Sequence, residues 1–295
     1  MNHVEQLLKH VRVLSQDIGS RSVYEPDKLE AAALYIEGEL DFAGLHVLRQ
    51  KYEVHGTKTA NLVARSPNWT GEGPVLVLGA HYDTVRGTPG ADDNASAVAV
   101  LIETARKVVE EAPGRSGNLL FVAFSTEEPP CFNTRLMGSR IFAERIKGSE
   151  IELRGALVLE MVGYFSNQPG SQDIPEGLEF LGFPDVGNFI ALAGDRQSAD
   201  LAEWTHSSFE ESDAGIPALK LVEPEEQTVL SGLIRLSDNV SFWDVGIPAL
   251  MVTDTAFLRN HNYHKETDTA ETLDYEAMGK LVKALAYTLV RKYPV

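Results

Sequence analysis

The stretch Val75–Ser96, VLVLGAHYDTVRGTPGADDNAS, decides how this chain is read. Val75 to Gly79 is almost wholly apolar, which predicts a strand buried on both faces, and the run ends in His81-Tyr82-Asp83. A turn-rich loop then delivers Asp92-Asp93-Asn94 just before a helical pattern starts at Ser96. Leu119 to Phe124 is a second buried strand, closed by Glu127-Glu128. Imidazole and carboxylate side chains gathered where buried strands end predict a metal site at the edge of a sheet.

Working outward, apolar positions recur at helical spacing in Val4 to Leu14 and in Asp27 to Leu40, before Gly44. His46 to Val54, Asn61 to Ala64, Ala156 to Leu159, Phe189 to Ala193 and Ile247 to Val252 read as strands. Ser96 to Glu110, ended by Pro113-Gly114, and then Met137 to Ile146 and Tyr275 to Val290 read as helices. Such alternation predicts an α/β fold with a mainly parallel sheet covered on both sides, whose ligands bind at the carboxyl ends of the strands. No repeat or linker divides the chain, so 1–295 is expected to be a single domain. Residues 163–187 and 207–238, rich in Gly, Pro, Ser and acidic residues, are expected to be excursions over the site rim.

With 295 residues and 43% hydrophobic content, the chain is long enough for a large core. Its formal net charge of −17 argues against nucleic acid as the main partner, since phosphate neutralisation needs clustered Lys and Arg. No basic leader and no apolar run near the roughly 20 residues of a membrane span are present, so the expectation is a cytoplasmic protein with no membrane partner. Cys131 is the only cysteine, which excludes an intramolecular disulfide and any multi-cysteine metal site; the role expected for it is that of a small, semi-buried apolar side chain.

Five features follow the predicted buried strands: His81 with Asp83, Asp93, Glu127-Glu128, Glu160 and His264. Imidazole and carboxylate suit zinc, and two ions sharing a carboxylate need about this number of side chains. Two residues apart on an extended segment, Asp83 and His81 can face the same way, so that Asp83 receives the second ring N–H of His81. Adjacent carboxylates at 127 and 128 repel unless a cation offsets them. One of the two can then bind the metal while the other accepts a proton from water.

These residues resemble metallopeptidase family twenty-eight, through His81-Tyr82-Asp83, Gly90-Ala91-Asp92-Asp93-Asn94-Ala95-Ser96, Glu127-Glu128, Gly138-Ser139, Leu159-Glu160-Met161 and Tyr263-His264 in that order. The family includes double-zinc bacterial aminopeptidases, glutamate carboxypeptidases and glutaminyl cyclases. The resemblance runs from about His10 to the last helix. It implies a three-layer α/β/α sandwich around a mixed, mainly parallel twisted sheet. It also implies two zinc ions per chain held by His81, Asp93, Glu128, Glu160 and His264, with Asp93 bridging. Glu127 matches the general base, Asp83 the partner of His81, and Asp93-Asn94 a position where the family often has a cis peptide. The expected activity is removal of terminal residues from a peptide, or cleavage of a small amide, most in keeping with an aminopeptidase. A carboxypeptidase or dipeptidase, a glutaminyl cyclase and a non-catalytic binding domain are the alternatives, and the oligomeric state is left open.

Some positions depart from the family pattern. Glu160 stands where many of the aminopeptidases have Asp, and Asn239 in Ser237-Asp238-Asn239-Val240-Ser241-Phe242 takes the place of a His. Asp238 is a candidate substrate contact or an Asx-turn residue. Arg259 is either a clamp for a substrate carboxylate or a surface ion pair, and Tyr263 an oxyanion donor or a packing residue. Thr267-Asp268-Thr269 is expected to cap the approach to the last helix. Trp204, His206 and Trp243 are expected in the core rather than in a specificity pocket.

Overall fold

The computed structural model describes residues 3–111, 118–179, 182–223 and 229–291. In chain order the elements are α1 (His3–Arg12), α2 (Pro26–Phe42), β1 (His46–Val54), β2 (Thr57–Arg65), β3 (Val75–His81), α3 (Ala97–Glu111), β4 (Leu119–Phe124) and α4 (Gly138–Lys147). They continue as β5 (Leu153–Glu160), β6 (Ile190–Gly194), α5 (Ala199–Glu211), β7 (Ala218–Val222), α6 (Val229–Leu233), α7 (Asn239–Trp243), β8 (Ala249–Thr253) and α8 (Tyr275–Val290). Among the described residues no helix is long and apolar enough to cross a membrane.

Local chemistry sets several of these boundaries. Pro26 opens α2 at a position where its missing N–H costs nothing, and Leu29, Ala32, Ala33, Ile36 and Leu40 form the buried stripe the spacing predicts. The two-residue turn between β1 and β2 places His55 and Gly56 at φ 50° and 84°, the left-handed pair a tight hairpin needs. Asp274 caps α8 by accepting the Ala277 N–H at 2.9 Å.

The eight strands among the described residues lie in the order β1-β2-β4-β3-β5-β8-β6-β7. The central four, β4, β3, β5 and β8, run parallel, as do β6 and β7, while β1, β2 and the β8–β6 pair are antiparallel. Strand alternation divides the core. Leu76, Leu78, Phe121, Leu157, Leu159, Leu250 and Val252 face α1, α2, α3, α5 and α8, whereas Val77, Val122, Phe124, Val158 and Met251 face α4, α6 and α7. The result is the three-layer α/β/α sandwich around a mixed, mainly parallel sheet.

Segment 207–238 departs from expectation: besides rim, it supplies the end of α5, the edge strand β7 and α6. The polar composition of Ser207-Ser208 and Glu210-Glu211 hid the helix. β7, half-buried except at the exposed Lys220, lacks the unbroken apolar run that marks the inner strands. Trp204 and Trp243 are in the core, and His206 Nε2 lies 3.2 Å from the Ala218 carbonyl, tying α5 to β7.

Candidate metal centre

The carboxyl ends of β3, β4, β5 and β8 open into loops that converge on one point. His81, the last residue of β3, turns Nε2 toward Asp93 Oδ1 at 3.4 Å and Glu160 Oε2 at 3.3 Å, with Glu127 Oε2 at 4.0 Å. His264, at φ 57°, brings Nε2 to 3.1 Å from Asp93 Oδ2 and 3.6 Å from Glu128 Oε1. Two ligand sets result, His81-Asp93-Glu160 and Asp93-Glu128-His264, and Asp93 gives one carboxylate oxygen to each. Glu127 belongs to neither set and stands beside the first.

The loops are braced by main-chain hydrogen bonds. Gly90, at φ 59°, is sterically required: a Cβ there would lie 2.3 Å from the Asp93 carbonyl oxygen. The Asp93-Asn94 peptide is cis, as the family pattern anticipates. Asn94 then holds the end of β5, donating to the Leu159 carbonyl at 3.1 Å and accepting the Met161 N–H at 2.9 Å. Asp268 accepts the Asp92 and Asp93 N–H groups at 2.9 and 3.1 Å, so its carboxylate caps the metal loop and not the last helix. Asp92 accepts the Gly163 N–H at 2.9 Å and the Asn260 side-chain amide at 2.7 Å, joining the loops after β3, β5 and β8.

Asp83 differs in detail from expectation. His81 Nδ1 is nearer the Asp83 main-chain carbonyl, at 3.2 Å, than its carboxylate, at 3.5 Å. The Asp83 carboxylate instead accepts the N–H groups of Glu127 and Glu128 at 3.0 and 3.1 Å. Glu160 Oε2 accepts the Ser237 hydroxyl at 2.6 Å, a contact that nothing in the sequence pattern signalled.

Three other candidates are resolved by their surroundings. Arg259 is fully buried and makes neither a surface pair nor an open clamp. Its Nε donates to Gln172 at 3.0 Å, one terminal nitrogen donates to the Tyr164 and Phe189 carbonyls, and the guanidinium lies 4.6 Å from the Phe189 ring centre. Asp238 makes no Asx turn: both carboxylate oxygens are buried without a hydrogen-bond partner among the described residues. Tyr263 stacks on His264 with ring centres 3.7 Å apart and packs on Phe257. Cys131 is free and buried, and burial raises its thiol to about 11.

The electrostatics fit a cation. Burial, reinforced by Asp93, raises Glu128 to about 7, and burial raises Asp238 to about 7 as well. Burial alone would lower His264, yet Asp93 and Glu128 raise it to about 10. Burial also works against a charged Asp93, but the neighbouring imidazoles of His264 and His81 hold its carboxyl well below the usual range. His81 Nε2 and Asp93 Oδ1 are both buried and both without a hydrogen-bond partner although they face each other. Two orphaned polar atoms aimed at one point, in a set made only of imidazole and carboxylate, fit zinc.

An imidazole and carboxylate cluster at the carboxyl ends of parallel strands, with a spare buried carboxylate beside it, defines a metallohydrolase. The sequence model of Peptidase family M28 matches residues 61–289, and the chain belongs to that family. It is 36% identical to the uncharacterized protein YfbL of Escherichia coli over 94% of this chain and 85% of that protein. A probable leucine aminopeptidase of Trichophyton verrucosum is 23% identical over 94% of this chain and 68% of its own length. Of the leupeptin-inactivating enzyme of Streptomyces exfoliatus, 28% identical, the chain spans only 37%. The LapA aminopeptidase of Legionella pneumophila shares the fold with a TM-score of 0.76 at 18% identity, covering 97% of this chain and 71% of LapA. A glutaminyl cyclase of Bacteroides thetaiotaomicron does so with a TM-score of 0.69 at 15% identity and 98% of each chain covered. The protein is therefore an M28 zinc peptidase.

Proposed function

We propose that this peptidase is a two-zinc aminopeptidase that removes an apolar residue from the amino end of a peptide. The observation that carries the proposal is the pair of ligand sets sharing Asp93, with Glu127 beside them and an apolar recess opening next to Glu160 and Tyr263. The recess is lined by Leu178, Phe183, Leu233, Met251 and Phe257, among others. A recess of this kind takes the buried side chain of the terminal residue and leaves the scissile bond at the carboxylate cluster.

His81, Asp93 and Glu160 would hold one ion, and Asp93, Glu128 and His264 the other. Zinc bound there would supply Lewis acidity for the scissile carbonyl and for the attacking water. Glu127 accepts the proton of the attacking water and returns it to the leaving amine. Burial, with Glu128 and Glu160 nearby, raises its proton affinity well above that of an ordinary carboxylate, which suits a group that must take up and release a proton. The Tyr263 phenol, held protonated by burial and by Asp93, Glu160 and Glu128, is a donor for the carbonyl oxygen.

Two points favour the amino end. The curated relatives include proteins named as aminopeptidases. Arg259, the side chain that would read a free carboxylate, is instead bound to Gln172 and two carbonyls. The test is hydrolysis of matched peptides that are free, amino-acetylated or carboxy-amidated, with products identified by mass. The proposal expects cleavage of the free and amidated peptides and none of the acetylated one. Cleavage blocked by amidation would reverse the direction, and a cyclised glutaminyl product would make the protein a cyclase.

A further inference from the structure

We infer that Arg21 is a positioning residue for the metal centre, one that holds the two ends of the loop between His81 and Asp93 on a single guanidinium. The inference rests on the zinc centre described above and concerns a residue outside the 61–289 span that the family model matches.

Arg21 is fully buried, and all five hydrogen bonds of its guanidinium go to main-chain carbonyls: Tyr82 at 2.6 Å, Leu14 at 3.2 Å, Gly19 at 3.3 Å, Pro89 at 2.8 Å and Gly90 at 3.0 Å. Tyr82 directly follows His81, and Gly90 opens the turn that presents Asp93. Three of the carbonyls therefore sit at the two roots of the loop, and the other two belong to the amino-terminal segment. The Arg21 main-chain N–H adds a bond to the Thr84 hydroxyl at 3.0 Å inside the same loop. A guanidinium is planar, and its donors are fixed in direction, so it sets the spacing between the acceptors it joins. Lysine offers a point charge with three donors and cannot hold both roots in one plane.

Charge points the same way. Burial lowers Arg21 only to about 10, so it stays cationic at neutral pH, a form that the charges of Asp83, Asp93, Asp268 and Glu128 favour. Groups hydrogen-bonded directly to metal ligands typically change metal affinity by about 10- to 100-fold, and Arg21 acts one step further out, through the main chain beside them.

The experiment compares the parent, Arg21→Lys, Thr84→Ala and Leu285→Ala, the last a remote core truncation on α8. Each is stripped with a chelator and titrated with zinc against a chromophoric competitor, alongside far-UV circular dichroism, thermal melting and steady-state kinetics. The expected result is a folded Arg21→Lys that binds zinc about 10- to 100-fold more weakly, with kcat reduced and KM near that of the parent. Thr84→Ala should show a smaller loss of the same kind, and it carries the test should Arg21→Lys fail to fold. Leu285→Ala should melt earlier yet bind zinc like the parent. Parent-like zinc affinity in Thr84→Ala and in a folded Arg21→Lys would overturn the inference, as would an equal loss of affinity in Leu285→Ala. A parent that binds no zinc would instead overturn the metal centre itself, so the two failures are distinguishable.

Discussion

Asp83 holds Glu127 by its main chain: Oδ1 accepts the Glu127 N–H at 3.0 Å, while Oδ2 takes that of Glu128. One carboxylate at the end of β3 thus aims both carboxylates that follow β4, one toward His81 and the other toward His264. Side-chain chemistry at 127 and 128 depends on a main-chain clamp built by a neighbouring strand.

Glu127→Gln removes the base while keeping volume and leaving both ligand sets intact. Turnover should fall at least about 100-fold with metal content unchanged, as read by elemental analysis beside peptide hydrolysis. Asp83→Ala should reduce both activity and metal content, because it releases the whole Glu127-Glu128 turn. Near-parent activity in Glu127→Gln would remove Glu127 from the mechanism.

Ligand substitutions should sort by set. His81→Ala and Glu160→Ala each remove a ligand from one set, while His264→Ala and Glu128→Ala do so in the other; each should cost about one of two ions. Asp93→Ala should cost both, since it serves each set. Equal losses across all five would contradict the bridging role of Asp93.

Zinc should stabilise the fold. The site gathers buried carboxylates whose mutual repulsion a cation offsets, and an ion that binds only the native state adds stability by mass action, about 2.7 kcal/mol at a hundredfold excess over Kd. Adding zinc to stripped protein should therefore raise Tm in proportion to the logarithm of free zinc. A Tm indifferent to zinc would count against the centre.

Acid should weaken the packing of α1 on α3 through Glu103. Burial pushes this carboxyl up, but hydrogen bonds from His10 and His3, with Arg106, outweigh it and hold the group below its ordinary 4.5. A folded-state value below the unfolded one means stabilisation that is full above about 4.5 and lost as pH falls through the folded value. In chelated protein, the stability gap between parent and Glu103→Gln should be widest near neutral pH and close on acidification. A gap constant with pH would refute the assignment.

Leu236 lines the mouth of the apolar recess and is 43% exposed, so it can change without collapsing the core. Leu236→Ser should lower kcat/KM for leucine-terminated peptides by roughly 1 kcal/mol, about fivefold, and leave alanine-terminated ones nearly untouched. Equal effects on both would place the terminal side chain elsewhere.

Much of this molecule was legible in the linear sequence because its inner strands are apolar runs and its ligands sit directly after them. Burial on both faces demands β3 and β4 as written, and a strand's end fixes where His81 and Glu127 emerge. Hidden from the sequence were β7, whose short apolar run is broken by Lys220, and α5, whose Ser, Thr and His residues mask its period. The uses of Arg259 and Asp268 were equally invisible, since each binds main-chain groups distant in sequence that carry no side-chain signature. Arg21 belongs with them: its partners are carbonyls at positions 14, 19, 82, 89 and 90, brought together only by folding. The sequence by itself determined which chemical groups are available and which strand each follows, because hydrophobic periodicity is local. Tertiary structure alone decided how far apart those groups stand and which way they point, because orientation is set by hydrogen bonds between loops that meet only at the edge of the sheet.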